Sequence, residues 1–307
     1  MIVPIAFGVF GLITGSFLNV LILRWGARPL TGRSTCASCG SVIAWYDLIP
    51  VFSWIALRGS CRQCGAWILA QYPLVELVTA IFFVLIGFSP LPLYLRLFAL
   101  PLAALLIAIA VYDFRHTLIP DVWVYACVAV TLVASLTAIP LEGLPFRLVP
   151  VLLSGPVVAA PLFALWLISG GKWMGLGDVK FAFVMGWLLG VSRGFLALLF
   201  AFILGAVVSI PLLFLSSRWW KECVNVLALA VQANARSRAQ ENVSPRNAPV
   251  RQSTFLLEKM MPKLVFGFTM KSEVPFGPFL VASTCILWIL SMYGVDLQLL
   301  SLSEVLP

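Results

Sequence analysis

Charged residues are scarce in this chain. Asp, Glu, Lys and Arg make up 10% of its 307 residues and hydrophobic residues make up 62%, whereas a soluble domain has about a quarter charged and about half apolar residues. This scarcity excludes an ordinary soluble domain. Together with a mean hydropathy of +1.04, it predicts an all-α polytopic membrane protein, because helices satisfy their own backbone hydrogen bonds in lipid.

Basic residues are absent from the first 23 positions. A cleavable signal peptide needs a positive region before its apolar stretch, but here the first positive charge, Arg24, follows that stretch. The pattern predicts an uncleaved first transmembrane helix, residues 1–23, with its N-terminus outside.

Histidine is nearly absent too, since His116 is the only one in the sequence. A single histidine beside Arg115, close to a predicted membrane edge, gives no secure Ser-His or Cys-His nucleophile pair. We interpret His116 as a solvated loop residue.

About eight transmembrane helices are predicted from the apolar segments. If the N-terminus is outside, the polar segments 24–72, 113–121, 169–178 and 217–275 lie inside, and with Lys180 at the membrane edge they carry 17 of the 20 Lys and Arg residues. Positive residues accumulate on the cytoplasmic side. This distribution therefore predicts that both termini are outside, and it explains the net charge of +8 without a nucleic-acid partner. The predicted spans are 2–23, 73–90, 97–112, 122–140, 148–168, 179–192, 194–216 and 276–294.

Four of the seven cysteines form two Cys-x-x-Cys pairs within residues 24–72. Their spacing, with a glycine directly after each pair, is typical of two knuckles that hold a tetrahedral Zn²⁺. The expected cytoplasmic location disfavours two disulfides, and a redox Cys-x-x-Cys is the alternative. Four thiolates leave no open coordination position, so we expect a structural metal that supplies folding energy to a small module. The predicted ligands are Cys36, Cys39, Cys61 and Cys64.

Four carboxylates stand at predicted inner membrane edges: Glu76, Asp113, Asp121 and Asp178. A charge at such an edge is costly unless it is paired, hydrated or functional. Asp178, in Gly175-Leu176-Gly177-Asp178, opens a helix, where an acid alone would suit the helix dipole. Asp113 closes a helix, the unfavourable end for an anion. Alternation of the spans predicts that both lie on one membrane face. Two carboxylates in a partly desolvated pocket would share a proton, as in aspartic proteases, with one as base on water and the other as acid.

The acids at the membrane edges also suit roles outside proteolysis. A hard metal held by two or three carboxylates would use the same residue types, and the two aspartates could be unrelated helix-edge residues. Asp121, next to Pro120 at another helix start, is best explained by the helix dipole. Lys180 lies two positions beyond Asp178, so it points away from it on a helix. We expect Lys180 to extend to the interface rather than form an ion pair.

Several further motifs surround these residues. They are Gly15-Ser16-Phe17-Leu18-Asn19-Val20, Asp47-Leu48-Ile49-Pro50-Val51, Ser53-Trp54, Arg58-Gly59, Tyr72-Pro73-Leu74-Val75-Glu76-Leu77, Ile119-Pro120-Asp121, Gly175-Leu176-Gly177-Asp178-Val179-Lys180 and Pro275-Phe276-Gly277-Pro278-Phe279. Together with the cysteine pairs, they cover most of the chain. In these motifs the sequence resembles the bifunctional type IV prepilin peptidases, also called leader peptidase/N-methyltransferases, which are membrane aspartic proteases of the GxGD type.

The resemblance implies that Asp113 and Asp178 are the catalytic aspartates and that the four cysteines bind zinc. It implies cleavage of prepilin or pseudopilin leaders after a glycine, at the cytoplasmic face of the bacterial inner membrane. Methylation of the new N-terminal amine with S-adenosylmethionine would follow, and the cysteine domain favours this bifunctional form. No glycine-rich Rossmann motif marks the methyltransferase site, which we expect at the cysteine module and near Glu76. The loop 217–275 is longer than the family pattern.

Two other functions compete with this interpretation. An ion-coupled transporter would carry ionisable residues near the bilayer centre, whereas these lie at inner edges. A non-catalytic assembly factor would dock partners through the cysteine module, although both aspartates are in place. The predicted organisation is a first helix 1–23, a cytoplasmic zinc-binding domain 24–72, a membrane peptidase core 73–216, a cytoplasmic loop 217–275, and a last helix with an outer tail 276–307.

Overall fold

The computed structural model describes residues 2–26, 29–138, 144–216 and 275–294. The predicted loop 217–275, apart from Pro275, and the outer tail from residue 295 lie outside the described residues. The described residues form eight α-helices and one short 3-10 helix, Trp45–Leu48. The α-helices are α1 (Ile2–Arg24), α2 (Phe52–Ala56), α3 (Gln71–Phe88), α4 (Leu93–His116), α5 (Asp121–Ala138), α6 (Leu144–Ser169), α7 (Leu176–Ser216) and α8 (Gly277–Met292).

The prediction of an all-α protein is confirmed for these residues, which contain no β-strand and only two isolated bridges. Five helices are long and apolar enough to cross a membrane: α1, α3, α4, Leu148–Ser169 of α6 and Leu176–Pro211 of α7. Two more, α5 and α8, are apolar but shorter. The eight predicted spans thus correspond to seven apolar helices, and the difference lies in α7.

Helix α7 turns back on itself at Gly190. The backbone there has φ 77° and ψ 179°, a region that is open essentially to glycine alone. A Cβ added to Gly194 would lie 3.5 Å from the Cα of Gly186, although eight residues of straight helix rise about 12 Å. Residues 176–189 and 191–202 therefore form two arms, which overlap the predicted segments 179–192 and 194–216.

Helix α4 lies at the centre of the bundle. Most of its side chains between Ala99 and Ile109 are buried, as expected of a helix that is apolar on all sides. It packs against α1, α3, α5 and α8. This burial fixes the position of Asp113, one turn beyond Ile109.

Helices α1 and α3 pack antiparallel through glycines. A Cβ on Gly11 would lie 2.7 Å from the Cα of Ala80, and a Cβ on Gly15 would lie 2.6 Å from the Cα of Glu76. No side chain fits at either glycine, so the two backbones are in contact. Polar side chains on the facing surfaces are consequently enclosed between the helices.

Candidate active site

Asp113 lies in the last turn of α4 and is 4% exposed. The helix ends at His116 because Thr117 adopts a left-handed conformation (φ 51°, ψ 37°) and donates its N–H to the carbonyl of Asp113 at 2.7 Å. The Asp113 carboxylate faces the N–H of Gly277, the first residue of α8. A Cβ on Gly277 would overlap Asp113 Oδ2. The N-terminus of α8 thus offers the positive dipole end that the C-terminus of α4 lacks.

Asp178 lies in the first turn of α7 and is half-buried. The N–H of Gly175 faces its carboxylate, the usual arrangement of an acid at a helix start. Val179, the next residue, is 3% exposed. This turn is therefore anchored in the core while the Asp178 carboxylate stays at its edge.

The side chain of Ile119 lies between the two aspartate positions. This side chain is 7% exposed. It lies 3.2 Å from the position of a Cβ on Gly177, beside Asp178, and 3.2 Å from that of a Cβ on Gly277, beside Asp113. The charge of Asp113 acts electrostatically on Asp178. The structure therefore brings the two carboxylates together at one end of the helix bundle, in a site whose walls are glycine and isoleucine.

Lys180 forms an ion pair, so the prediction that it extends unpaired to the interface is wrong. Its Nζ donates to both carboxylate oxygens of Asp121, at 2.7 and 2.8 Å. The partner comes from the start of α5, and spacing within α7 could not reveal a contact between helices. The Asp121 side chain is 52% exposed, and such a surface pair contributes at most about 1 kcal/mol. Asp121 is thus occupied outside the aspartate pair.

His116 is exposed, as predicted, but it belongs to the last turn of α4 rather than to a loop. Its ring centroid lies 4.4 Å from that of Tyr112, which packs against Trp123 at 5.3 Å. Trp123 lies 4.9 Å from Trp25. These rings join the end of α1 to the end of α4 and the start of α5, next to Asp113 in the chain.

The four cysteines come together in two equivalent turns. In the first, the Cys36 N–H donates to the carbonyl of Ser41 and the Gly40 N–H donates to the carbonyl of Cys36, both at 2.9 Å. The second turn, residues 61–66, repeats these bonds at 2.8 and 2.9 Å. The glycine in each turn has a φ of 71° or 68°, a conformation that other residues rarely adopt.

The four Sγ atoms lie within 4.8 Å of one another, with 3.9 Å between Cys36 and Cys64. A tetrahedral site with Zn–S bonds of about 2.3 Å needs sulfur atoms about 3.8 Å apart. The cluster therefore fits Zn²⁺ with a small contraction. The prediction that these cysteines form one potential metal site is confirmed, and the identity of the metal stays a prediction.

The thiols of this cluster differ in acidity. Hydrogen bonds from Ser41 lower the pKa of Cys39 to about 6, and backbone N–H groups, first that of Cys64, lower the pKa of Cys61. The N–H of Ala66 lowers the pKa of Cys64 as well, but the neighbouring sulfur atoms, Cys39 first, outweigh it and raise this pKa to about 11. A divalent cation would remove the difference, because it stabilises every thiolate that it binds.

Asp47 supports the second cysteine turn. The Arg62 guanidinium, which lies in that turn, donates from Nε to Asp47 Oδ2 at 3.0 Å and from Nη2 to Oδ1 at 2.7 Å. This pair holds the pKa of Asp47 below its usual range, and the guanidinium also lies 5.4 Å from the centroid of the Tyr46 ring. The 3-10 helix Trp45–Leu48 is thereby tied to the second cysteine turn.

Sequence reasoning did not identify Gly277 or Ile119 as parts of the site. Both stand in motifs that carry the resemblance, at predicted membrane edges. A glycine and an isoleucine have no reactive group, so composition and charge gave no reason to select them. Only their presence in these motifs pointed to them.

The fold and the site define a helical membrane protein with an aspartate pair and a four-cysteine cluster. Two family models match the chain: the bacterial peptidase A24 N-terminal domain over residues 9–89 and the type IV leader peptidase family over residues 100–210. The chain belongs to the type IV leader peptidase family.

Curated relatives carry corresponding names. The prepilin leader peptidase/N-methyltransferase of Myxococcus xanthus (strain DK1622) is 36% identical over 224 residues, which cover 68% of this chain and 63% of the relative. The protein of the same name from Aeromonas hydrophila is 33% identical over 246 residues, which cover 67% of this chain and 80% of the relative. The type 4 prepilin-like proteins leader peptide-processing enzyme of Escherichia coli O78:H11 (strain H10407 / ETEC) is 37% identical over 152 residues, 43% of this chain and 56% of the relative. No solved structure is significantly similar to this chain.

Proposed function

We propose that this protein is a membrane aspartic endopeptidase that removes the leader of type IV prepilins or pseudopilins and then N-methylates the new N-terminal residue. The observation that carries the peptidase part is the convergence of Asp113 and Asp178, from two different helices, on one end of the bundle. The methyltransferase part rests on the names of the relatives.

Hydrolysis by the aspartate pair needs one carboxylate ionised and one protonated. The ionised aspartate removes a proton from water, which attacks the scissile carbonyl, and the protonated aspartate donates its proton to the carbonyl oxygen. Gly175 is exposed and has no side chain, so it leaves the backbone before Asp178 accessible to an extended substrate chain. Gly277 keeps the Asp113 carboxylate in contact with the start of α8.

Zinc has a structural role in this proposal. Cys36, Cys39, Cys61 and Cys64 would hold it, and the bound ion would link the two cysteine turns. Four sulfur ligands leave no position for a substrate or water. S-adenosylmethionine, as the second substrate, would supply the methyl group.

The proposed topology has eight transmembrane helices in the bacterial inner membrane, with both termini outside and the aspartates at the cytoplasmic face. It is supported by the seven apolar helices and by the reversal of α7 at Gly190, which would allow this helix to cross the membrane twice. It is also supported by the 17 of 20 Lys and Arg residues in the segments assigned to the inside.

Substitution of the aspartates tests the peptidase assignment. We expect Asp113→Asn and Asp178→Asn each to reduce leader cleavage about 100- to 10,000-fold, the range of acid–base catalysis, without loss of membrane insertion. Asp121→Asn is the matched control, because it removes an acid at the same end of the bundle that is already paired with Lys180. The measurement is mass spectrometry of a pilin subunit incubated with purified protein, with and without S-adenosylmethionine. Normal cleavage by either active-site variant would contradict the assignment.

A further inference from the structure

A polar cluster is buried between α1 and α3, where both helices join the cysteine module. Asn19 of α1 is 2% exposed and Glu76 of α3 is 8% exposed. Both belong to helices that are long and apolar enough to cross a membrane. Buried amide and carboxylate groups in such helices are expensive and usually have a function.

The Asn19 side chain has an acceptor without a donor. Its Nδ2 donates to the carbonyl of Gly15 at 3.3 Å and to the carbonyl of Tyr72, across the helix pair, at 3.1 Å. The Oδ1 atom is buried and receives no hydrogen bond from the described residues. Buried acceptors are nearly always satisfied, so Oδ1 marks a position for a donor from outside the described residues.

The Glu76 carboxylate is held by neutral donors. Its Oε2 accepts the N–H of Val51 at 2.8 Å, and the hydroxyl of Ser16 also bonds to it. Neither of the two ion pairs in the described part of the chain includes Glu76. A buried carboxylate is stabilised most by a positive partner, and the donors that Glu76 has in the described residues are neutral.

The Val51 N–H reaches Glu76 from a strained turn. Val51 has φ 62° and ψ −51°, and the N–H of Phe52 donates to the carbonyl of Pro50 at 2.6 Å. This is the rare form of the γ-turn, which is unusual for a β-branched residue. Strain of this kind concentrates at functional sites. Here it aims a backbone donor of the cysteine module at a carboxylate of the membrane helices.

From these contacts we infer that Glu76 and Asn19 form the binding site for the substrate amine in methyl transfer. The ligand is the N-terminal ammonium group of the cleaved pilin, which carries three N–H donors and one positive charge. Glu76 neutralises the charge and Asn19 Oδ1 accepts one N–H. This inference rests on the proposed methyltransferase function.

The site also provides the proton acceptor that the reaction needs. An ammonium nitrogen has no lone pair, so it must first give one proton, and the Glu76 carboxylate takes it. The neutral amine then attacks the methyl carbon of the sulfonium donor: the N–C bond forms, the C–S bond breaks, and its electron pair stays on sulfur. The product is a secondary ammonium ion, and Glu76 returns its proton to solvent.

The test uses Glu76→Gln in the full-length protein, because the amide keeps the shape and an acceptor for Val51. The substrate for methylation is a synthetic pilin peptide that already begins with its mature N-terminal residue. We expect methylation at pH 7 to fall at least tenfold, whereas cleavage of an intact prepilin by the same preparation changes less than about twofold. Equal loss of both activities would show that Glu76 only supports the fold, and would overturn the inference.

The pH profile separates chemistry from structure. A free N-terminal amine has a pKa of about 8, so solvent replaces Glu76 as proton acceptor once the pH exceeds that value. We expect the gap between Glu76→Gln and the original protein to narrow as the pH rises from about 7 to 9. A gap that is constant with pH would overturn the role in proton removal.

Thr79→Val is the matched control. Thr79 is buried in the same interface between α1 and α3, and its hydroxyl is satisfied within its own helix by the carbonyl of Val75 at 2.7 Å. We expect both activities of this variant to stay within about twofold. If Thr79→Val lowers methylation as strongly as Glu76→Gln, the effect belongs to helix packing and the inference fails.

The ammonium could also come from the amino-acid portion of the methyl donor. Separate titrations distinguish the two sources: Glu76→Gln should raise the KM for the pilin peptide and leave the KM for S-adenosylmethionine unchanged. The reverse result would overturn the assignment to the peptide. If the original protein cleaves prepilin but never methylates the mature peptide, the proposed methyltransferase function itself fails, which is a different outcome.

Discussion

The Asp113 carboxylate occupies the space that a side chain at position 277 would need. Asp113 closes α4, where the helix dipole disfavours an anion. The N–H of Gly277 compensates for this because α8 begins directly against the carboxylate. The lack of a side chain at position 277 is thus as important for the aspartate pair as Asp113 itself.

Gly277→Ala should therefore inactivate the peptidase. The added Cβ overlaps Asp113 Oδ2, so the carboxylate has to move by about 1 Å, a displacement that costs about 100-fold in rate. The measurement is kcat for leader cleavage, corrected for the folded fraction by size-exclusion chromatography in detergent.

Gly87→Ala is the control for this variant. Its Cβ would lie 2.7 Å from the Cα of Pro4, a comparable collision at a contact between α1 and α3 far along α3 from Glu76. We expect lower stability but normal kcat of the folded fraction. Similar kcat values for the two variants would mean that Asp113 tolerates displacement.

At the residue scale, charge was the feature that sequence reasoning could use. Asp113 and Asp178 are predictable candidates because placing a carboxylate at a membrane edge costs free energy, and such residues are therefore usually functional. Ile119 and Gly277 are uncharged, so their sequence positions give no such signal. Their role is visible only in the structure, where the ends of three helices meet. Lys180 was predicted wrongly because its partner, Asp121, belongs to another helix.

The cysteine module was the most predictable element. Its two turns follow from Cys-x-x-Cys-Gly, since the glycine supplies the positive φ that closes each turn. The tie between Asp47 and Arg62 was not predictable, because 15 positions separate them and no periodic pattern relates a 3-10 helix to a turn. The same limit applies to Val51, whose unusual backbone conformation leaves no mark in the sequence.

Loss of zinc should affect methylation more than cleavage. Chelation or Cys36→Ser opens the four-sulfur cluster, and the module then no longer holds Val51 against Glu76, while the Asp113 and Asp178 helices keep their own packing. Activity assays on prepilin and on the mature peptide, with zinc measured by mass spectrometry, would report both effects.

Zinc repletion is the control for the chelated protein. It should restore methylation in the original protein but not in Cys36→Ser. Equal loss of cleavage and methylation would indicate instead that the metal supports the whole fold.

At the scale of the whole molecule, the positions of the helices relative to the membrane can be measured directly. Single cysteines at Pro90, Thr117 and Lys172, which are all exposed, should divide between the two sides. We expect a membrane-impermeant thiol reagent to label Pro90→Cys in intact cells and the other two only after permeabilisation, because basic residues keep their segments inside. The protein without added cysteine gives the background from its native thiols.

Labelling of Pro90→Cys and Thr117→Cys from the same side would mean that α4 does not cross the membrane. That result would remove the basis for placing both aspartates at the cytoplasmic face.

Composition alone predicted the helical class, and apolar segments predicted the helices to within a few residues, because both depend on local properties. The predicted segment 97–112 is shorter than α4, which extends from Leu93 to His116. Charged residues near both ends of the helix interrupt the apolar pattern from which the segment was predicted. The packing of α8 against α4 was not predictable, because it joins the two sides of the long segment 217–275. The aspartate site depends on that packing through Gly277.

The reversal of α7 at Gly190 has a consequence for how the protein is made. Residues 176–189 and 191–202 are joined by a single non-helical residue. This connection is too short for one arm to stay in water while the other is inserted in the bilayer. In the proposed topology both arms cross the membrane, and we expect them to enter it together, as one hairpin. We therefore expect Asp178 to reach its position beside Asp113 only after the second arm has been synthesised and inserted.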